Sequence, residues 1–234
     1  APAASGSRGA NKAIVIDGSL ASIYRSVGPA NTTDLNTSAR TVTISGSTAT
    51  FSDTMPDNVG VGDVLQYQVS TVYYLAFISS RTSSTVYTVQ AASGLAPTAA
   101  AAGTAVSVYR AYISLSNAEA GTENTALDDT VENFDTWTGG KDIAASNEIW
   151  NIACYGDAAD TTAVTIDGWT TSATNYIKIY TPTSTSEAVT SQRHDGKWND
   201  GKYRLEAGSN TIHIVENYVR IDGLQINQNS GDWN

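Results

Sequence analysis

Apolar and polar residues alternate along much of the first half of the chain, in short runs rich in Val, Ile, Thr and Tyr. A period of two with β-branched and aromatic residues is typical of strands with one buried face. Gly and Asp in the intervening turns, such as residues 60–63, supply the positive φ and side-chain turns of short connections. The predicted strands are residues 12–17, 41–44, 48–51, 64–69, 73–78, 85–89 and 105–109. We predict an antiparallel β module over residues 40–112, preceded by a first strand within residues 13–39.

Residues 114–121 carry the start and stop signals of a short helix. Ser114 or Ser116 is a suitable N-cap, and Gly121 supplies the left-handed position that ends many helices. Residues 125–137 place apolar side chains at helical spacing, but their Thr, Asn and aromatic content favours a loop with helical content. Residues 113–146 are therefore predicted to hold one short helix and an acidic connection.

An internal repeat organises the last ninety residues. Residues 175–179 (NYIKI) return as 217–221 (NYVRI), 42 positions later, and a looser copy, 147–152 (NEIWNI), starts 28 positions earlier. Such a unit, made of short strands joined by Asn and Gly turns, is typical of one coil of a parallel β-solenoid. We predict parallel coils over residues 147–234, with a corner loop over residues 184–210. The side chains predicted to face inward are Ile149, Ile152, Ile166, Ile177, Ile179, Ile212, Ile214, Val219, Ile221 and Ile226.

Several of these segments, taken in order, resemble a known family. They are residues 24–29 (YRSVGP), 114–121 (SLSNAEAG), 164–169 (VTIDGW), 175–179 (NYIKI) and 218–226 (YVRIDGLQI). The order resembles the amino-terminal part of secreted right-handed parallel β-helix proteins, the pectate-lyase-like superfold, over residues 13–39 and 113–234. Residues 40–112 would then be an inserted β module. The resemblance implies an all-β fold with right-handed parallel β-helix coils, a small antiparallel module and one short capping helix. It implies no single function, because this fold carries lyases, hydrolases, phage tailspikes, adhesins and structural surface proteins.

Charge and composition exclude some classes of binding partner. The 13 Lys and Arg against 23 Asp and Glu give a net charge of -10, which leaves little material for a phosphate-binding surface, so nucleic acid is not expected. No apolar stretch approaches the length of about 18 residues that a membrane span needs, so no membrane insertion is expected. The chain starts at Ala1 rather than Met, and we expect an exported, extracellular or cell-surface protein whose signal peptide has been removed. Cys154, the single cysteine, lies in an apolar run and is predicted to be buried without a chemical role.

The titratable residues do not predict an enzyme. The basic cluster of residues 193–197, with Lys202 and Arg204, lies on the corner loop and is interpreted as a solvated or interface loop. His194 and His213 have no cysteine at metal-binding spacing, so a zinc site is not expected. We predict no catalytic centre and no organic cofactor.

The densest acidic run is a candidate calcium site. It consists of Asp128, Asp129, Glu132 and Asp135. Carboxylates are the ligands that Ca²⁺ prefers, but the run lacks the fixed Gly and alternating oxygen ligands of a recognisable calcium loop. A solvated acidic connection is the alternative.

The leading functional hypothesis is self-assembly. The last repeat is followed by no segment that looks like a cap, and an open solenoid end exposes unpaired backbone groups that attract another strand. Either the coils continue in a longer β-helix, or the next copy completes them in a head-to-tail homopolymer, with residues 1–12 as a flexible or donated arm. The residues proposed for self-assembly are Ile14, Val15, Ile16, Leu224, Ile226 and Trp233.

We thus expect a structural, self-assembling extracellular or cell-surface protein, plausible as a filament subunit. One alternative is the non-catalytic front part of a secreted polysaccharide-degrading enzyme or phage tailspike. Another is an adhesive carbohydrate-binding module that recognises surface glycans through rings such as Tyr73 and Tyr74.

Overall fold

Strands make up nearly all regular structure in the computed structural model, which describes residues 19–137, 139–208 and 210–228. The all-β character predicted from the sequence is therefore confirmed. The arm over residues 1–12 and the strand predicted over residues 12–17 lie outside the described residues. The strands fall into two groups, one antiparallel and one parallel.

The antiparallel strands close into a six-stranded barrel in the order β2-β3-β6-β5-β4-β7. Their bounds are β2 Thr41–Ser45, β3 Thr48–Phe51, β4 Val64–Val69, β5 Val72–Arg81, β6 Val86–Gln90 and β7 Ala100–Tyr109. The alternation that predicts strands also fills the barrel, since Leu65 and Tyr67 are buried while Gln66 between them is half-buried and Gln68 after them is exposed. Closure pairs every barrel strand on both sides and so removes the exposed edges of an open sheet.

The parallel strands form three small sheets. One has the order β1-β8-β11-β14, a second pairs β10 with β13, and a third has the order β15-β12-β9. Their bounds are β1 Ala21–Val27, β8 Glu148–Cys154, β9 Ala159–Asp160, β10 Val164–Ile166, β11 Ile177–Tyr180, β12 Arg204–Ala207, β13 Ile212–Ile214, β14 Val219–Asp222 and β15 Gln225–Gln228. The repeated segments lie on neighbouring strands, with Ile177 opposite Val219 in β14 and opposite Trp150 in β8.

The predicted right-handed parallel β-helix is wrong. The described chain has a closed antiparallel barrel and separate parallel sheets of two to four strands, in place of a small module attached to solenoid coils. The copies of the sequence repeat do pair side by side, as β8, β11 and β14. Pairing of the copies alone does not require the chain to form continuous coils. The alternation within residues 40–112 likewise predicts strands without predicting that they close.

The side chains predicted to face inward divide according to their place in the sheets. Ile152, Ile166, Ile177 and Ile179 are buried, whereas Ile149, Ile212 and Val219 are half-buried. Ile214, Ile221 and Ile226 are exposed. These three lie on or beside the outermost strands β13, β14 and β15, where no further strand of the described chain covers them.

A single short helix, α1 (Leu115–Ala120), lies where its capping residues predict it within the described chain. The Ser114 hydroxyl accepts a hydrogen bond from the Asn117 amide, and Gly121 ends the helix with a φ of 64°. Leu115 and Ala118 are buried, and α1 packs against β10 and β1. Residues 125–137 form turns and loop.

The barrel and the parallel sheets share their cores. Val64 and Phe77 of the barrel pack with Ile23, Trp150 and other residues of the parallel part. In the other direction, Tyr155 and Tyr180 pack among the barrel residues. The two parts therefore form one continuous packed structure.

Candidate functional site

Arg25 and Asp135 form a fully enclosed ion pair at the junction of barrel and parallel sheets. The Arg25 Nε and Nη2 atoms donate to the two carboxylate oxygens at 2.6 and 2.7 Å. The Tyr112 hydroxyl also donates to Asp135, and the guanidinium lies 3.9 Å from the ring centre of Phe77. Both carboxylate oxygens of Asp135 are therefore occupied by a structural ion pair with a residue 110 positions earlier in the sequence.

A second enclosed cluster joins Arg110 to two carboxylates. Its Nη1 atom donates to both oxygens of Asp63 at 2.8 and 2.9 Å, and its Nε atom donates to Asp157 at 2.8 Å. Complete burial raises the pKa of Asp63 to about 6, although the charge of Arg110 opposes the shift. Burial also acts to raise the pKa of Asp157, but the charge and hydrogen bonds of Arg110 outweigh it and lower that pKa. Arg110 and Asp63 are shut off from solvent, whereas the Asp157 side chain is 15% exposed. The three groups pair with one another and hold the fold together, so we assign them no reaction.

The four acidic residues of the calcium candidate have different environments. Asp128 accepts hydrogen bonds from the Thr130 amide and hydroxyl at 3.0 and 2.6 Å, Asp129 is exposed, and Glu132 is half-buried. Asp135 is the buried partner of Arg25. Within residues 19–137, 139–208 and 210–228, no three His, Cys, Asp or Glu side chains form a group that would hold a metal ion. The calcium hypothesis therefore gains no support from the geometry.

Three basic side chains of the corner loop, Arg193, Lys202 and Arg204, have partners within the chain. Arg193 pairs with Asp222 of β14 at 2.7 Å, and Arg204 pairs with Glu206 at 2.5 Å. The Lys202 ammonium donates to the carbonyl of Ser191. These contacts tie the loop to itself and to the parallel sheets.

Cys154 is buried as predicted, and burial raises the pKa of its thiol well above the ordinary value.

The residues predicted to mediate self-assembly are only partly described. Ile14, Val15, Ile16 and Trp233 lie outside the described residues. Leu224 is half-buried and packs against the core of the parallel part. Ile226 is exposed.

Ile226 belongs to a larger apolar surface that we call the open edge, formed by strands β13, β14 and β15 within residues 212–228. Each of these strands is the outermost strand of its parallel sheet in the described chain. The open edge carries half of the ten exposed large hydrophobic side chains described, each between 37% and 53% exposed. They are Ile214, Val215, Tyr218, Ile221 and Ile226.

The opposite side of the parallel sheets is covered. Helix α1 packs on β10 and β1, and barrel strand β5 packs on β1. The parallel part is therefore asymmetric, with one protected side and one exposed edge. The sequence repeat predicts apolar positions on β14 but not which strand lies outermost. The prediction that Ile221 faces inward is therefore wrong, and the exposure of Val215 and Tyr218 is not predicted.

Comparison with known proteins finds no family model, no curated protein and no solved structure that matches the chain. The resemblance to secreted β-helix proteins therefore stays a prediction about sequence segments. In the described residues, no helix has the length and apolar character that crossing a membrane requires.

Proposed function

We propose that the chain is a structural, self-associating protein that binds a second copy of itself through the open edge. The observation that carries the proposal is that three edge strands of the parallel sheets and five exposed apolar side chains fall within one segment, residues 212–228. Single exposed apolar residues are common on soluble proteins, whereas a contiguous group is typical of an interaction surface. The extracellular or cell-surface setting expected from the composition belongs to the same proposal.

Backbone pairing supplies directional binding at such an edge. β14 pairs with β11 on one side only in the described chain, so its other side offers N–H and C=O groups to an added strand. Each added hydrogen bond contributes about 0.5–1.5 kcal/mol. Burial of the side chain of Ile221 and its neighbours contributes further, because it removes apolar area from water.

The charge pattern favours a second copy over an unrelated acidic or basic partner. The whole chain has a charge of -10, so most of its surface repels another copy. Residues 212–228 carry only Glu216, Arg220 and Asp222 as charged side chains. Two β14 strands paired antiparallel about Ile221 place Arg220 opposite Asp222 of the second copy, twice by symmetry. Opposite charges at facing positions stabilise strand pairing.

The test compares two lysine substitutions at similar exposure. Ile221→Lys places a charge within the open edge, and Val72→Lys places one at the exposed end of β5, where the side chain is 52% exposed. We expect wild type and Val72→Lys to form concentration-dependent dimers in sedimentation velocity, and Ile221→Lys to raise the dissociation constant at least about tenfold. Thermal unfolding should be similar for both variants, because neither replaced side chain is in a core.

Two results would contradict the proposal. One is a wild-type protein that stays monomeric at every accessible concentration. The other is equal association of the Ile221→Lys and Val72→Lys variants. Electron microscopy of the wild-type protein then distinguishes a closed dimer from the filament expected for head-to-tail assembly.

A further inference from the structure

A cleft of about 350 Å³, lined by both polar and apolar side chains, lies on the outer surface of the barrel, and none of its lining residues belongs to the open edge. Its floor includes Gln66 and Gln68 of β4, Tyr73 of β5 and Ser107 of β7. Gln66 faces Ser107 and Gln68 faces Tyr73 in the antiparallel register, so the four residues share the outer face of the sheet. The inner face of β4 is filled by buried Leu65 and Tyr67.

Arg40 lines this cleft, and its guanidinium has no partner among the described residues. Its Nε and Nη1 atoms are shielded from solvent and make no hydrogen bond within the described chain. In the same residues Arg25, Arg110, Arg193 and Arg204 pair with carboxylates. Arg81, whose Nε atom is also shielded and without a partner, donates from Nη1 to the carbonyl of Thr185, and Arg220 lies over the ring of Tyr176. Within this part of the chain the guanidinium of Arg40 makes neither kind of contact. Shielded polar groups without partners destabilise a protein, and a bound carboxylate would supply both acceptors that these two donors lack.

The backbone of Arg40 is firmly held although its guanidinium is not. Asn36 donates from Nδ2 to the carbonyl oxygens of Arg40 and Val106 at 2.7 and 2.8 Å, and its Oδ1 accepts from the Arg40 amide at 3.0 Å. Asp34 fixes the same wall to β7 by accepting from the Val108 amide at 2.9 Å. The side chain of Arg40 is therefore anchored at its base and turns toward an anion without breaking a hydrogen bond of the described chain.

We infer that the cleft binds a small carboxylated sugar, with its carboxylate on Arg40 and its hydroxyl groups on the polar floor. A guanidinium binds a planar carboxylate through two parallel hydrogen bonds. The Gln66 Oε1 atom accepts from the Asp128 amide at 2.7 Å, which orients its amide nitrogen as a donor for the ligand. The Tyr73 ring offers an apolar face to the sugar, and the volume suits a ligand of about one sugar ring.

Asp34 limits the number of anionic groups that a ligand in the cleft can carry. Its carboxylate lines the same cleft as Arg40, with one oxygen already occupied by the Val108 and Asn36 amides. A second anionic group on the ligand would be repelled by this carboxylate, whereas a hydroxyl group can donate to it. The cleft therefore favours a sugar with a single carboxylate.

Three probes separate the contributions of carboxylate and hydroxyl groups in titrations followed by NMR of the ¹⁵N-labelled protein. D-glucuronate carries both, D-glucose lacks the carboxylate, and acetate lacks the sugar ring. We expect glucuronate to bind at least about tenfold more tightly than either control, since charge-assisted hydrogen bonds are the strong ones. Shifts should concentrate on the amides of Gln66, Gln68, Tyr73 and Ser107.

Two charge-matched variants test the assignment. Arg40→Gln should weaken glucuronate binding at least about tenfold, and Lys197→Gln, at an exposed position of the corner loop, should leave it unchanged. Arg40→Gln should fold, because the replaced guanidinium makes no hydrogen bond in the described chain. Gln68→Ala, at an exposed position, gives a second variant that should lower the affinity several-fold.

The inference is overturned if glucuronate does not bind, or if glucose or acetate binds equally well. It is also overturned if the Arg40→Gln and Lys197→Gln variants bind glucuronate alike. Should Arg40→Gln unfold, unchanged affinity in Gln68→Ala together with shifts elsewhere on the molecule overturns it. None of these results depends on self-association at the open edge.

Discussion

At the scale of single residues, the side chains of Arg25 and Arg110 hold the barrel and the parallel sheets together where they meet. Each guanidinium is fully buried, paired with carboxylate and stacked on an aromatic ring. Removing one partner of such a pair strands a charge in the interior, which costs several kcal/mol. The enclosed pairs therefore specify how the two groups of strands meet.

Asp63 gives the junction a pH dependence that can be measured. Because burial raises its pKa in the folded protein to about 6, the folded state binds a proton more tightly than the unfolded state. The stabilisation from Asp63 is fully present below its unfolded pKa of about 3.9 and is lost as the pH rises through about 6. We expect the free energy of unfolding in urea to fall over this interval more steeply for wild type than for Asp63→Asn. Parallel pH profiles of the two proteins would show that Asp63 does not titrate there.

The residue scale is where the sequence is least informative. Asp135 belongs to an acidic run that looks solvated, yet its carboxylate is buried against Arg25, 110 positions earlier. No local pattern connects these two residues. The same holds for Arg40, because its lack of a partner in the described part of the chain becomes visible only when β4, β5 and β7 are in place.

Local elements are predicted far better than their assembly. Alternation locates the barrel strands, and the caps Ser114 and Gly121 locate α1, because both signals depend on neighbouring residues only. The repeat identifies β11 and β14 as related strands. Barrel closure and the separation of the parallel sheets depend on contacts between distant segments, which these patterns do not contain.

Gly62 shows how one element constrains another. It has a φ of 86°, its amide donates to Ile78 at 2.7 Å, and its carbonyl accepts from the Ser26 amide at 3.0 Å. A methyl group at this position would overlap the backbone of Arg25 and Ser26 in β1, so the turn before β4 fits against the parallel part only with glycine.

The matched control for Gly62→Ala is Gly46→Ala. Gly46 also has a positive φ, of 56°, but an added methyl group there meets no other atom within 4 Å. We expect Gly46→Ala to lower the free energy of unfolding by about 1–2 kcal/mol, from backbone strain alone. Gly62→Ala should lower it by about 1–3 kcal/mol more, because atoms must move apart. If chemical denaturation gave equal losses in the free energy of unfolding for the two variants, the barrel and β1 would accommodate the added methyl group without further destabilisation.

At the scale of the whole molecule, the covered and exposed sides of the parallel sheets decide which assemblies are compatible with the fold. Helix α1 packs against β1 and β10, and barrel strand β5 packs against β1, so β1, the first strand of the sheet that ends in β14, is covered and does not receive β14 of another copy. A head-to-tail filament would need a further surface, such as the arm predicted over residues 1–12. Two open edges related by a two-fold axis need no second surface.

A charge exchange tests the proposed two-fold pairing of the whole molecule. In an antiparallel pair centred on Ile221, Arg220→Asp brings like charges together at both symmetric positions, and Asp222→Arg does the same with the opposite sign. Each single variant should dissociate at least about tenfold more readily, while the double variant restores opposite charges and should recover most of the affinity in sedimentation velocity. Asp222 also pairs with Arg193 within the chain, so thermal unfolding of each variant serves as the control for local damage. A double variant that associates no better than the single ones would exclude this register, because in a head-to-tail or non-specific contact Arg220 and Asp222 need not face each other.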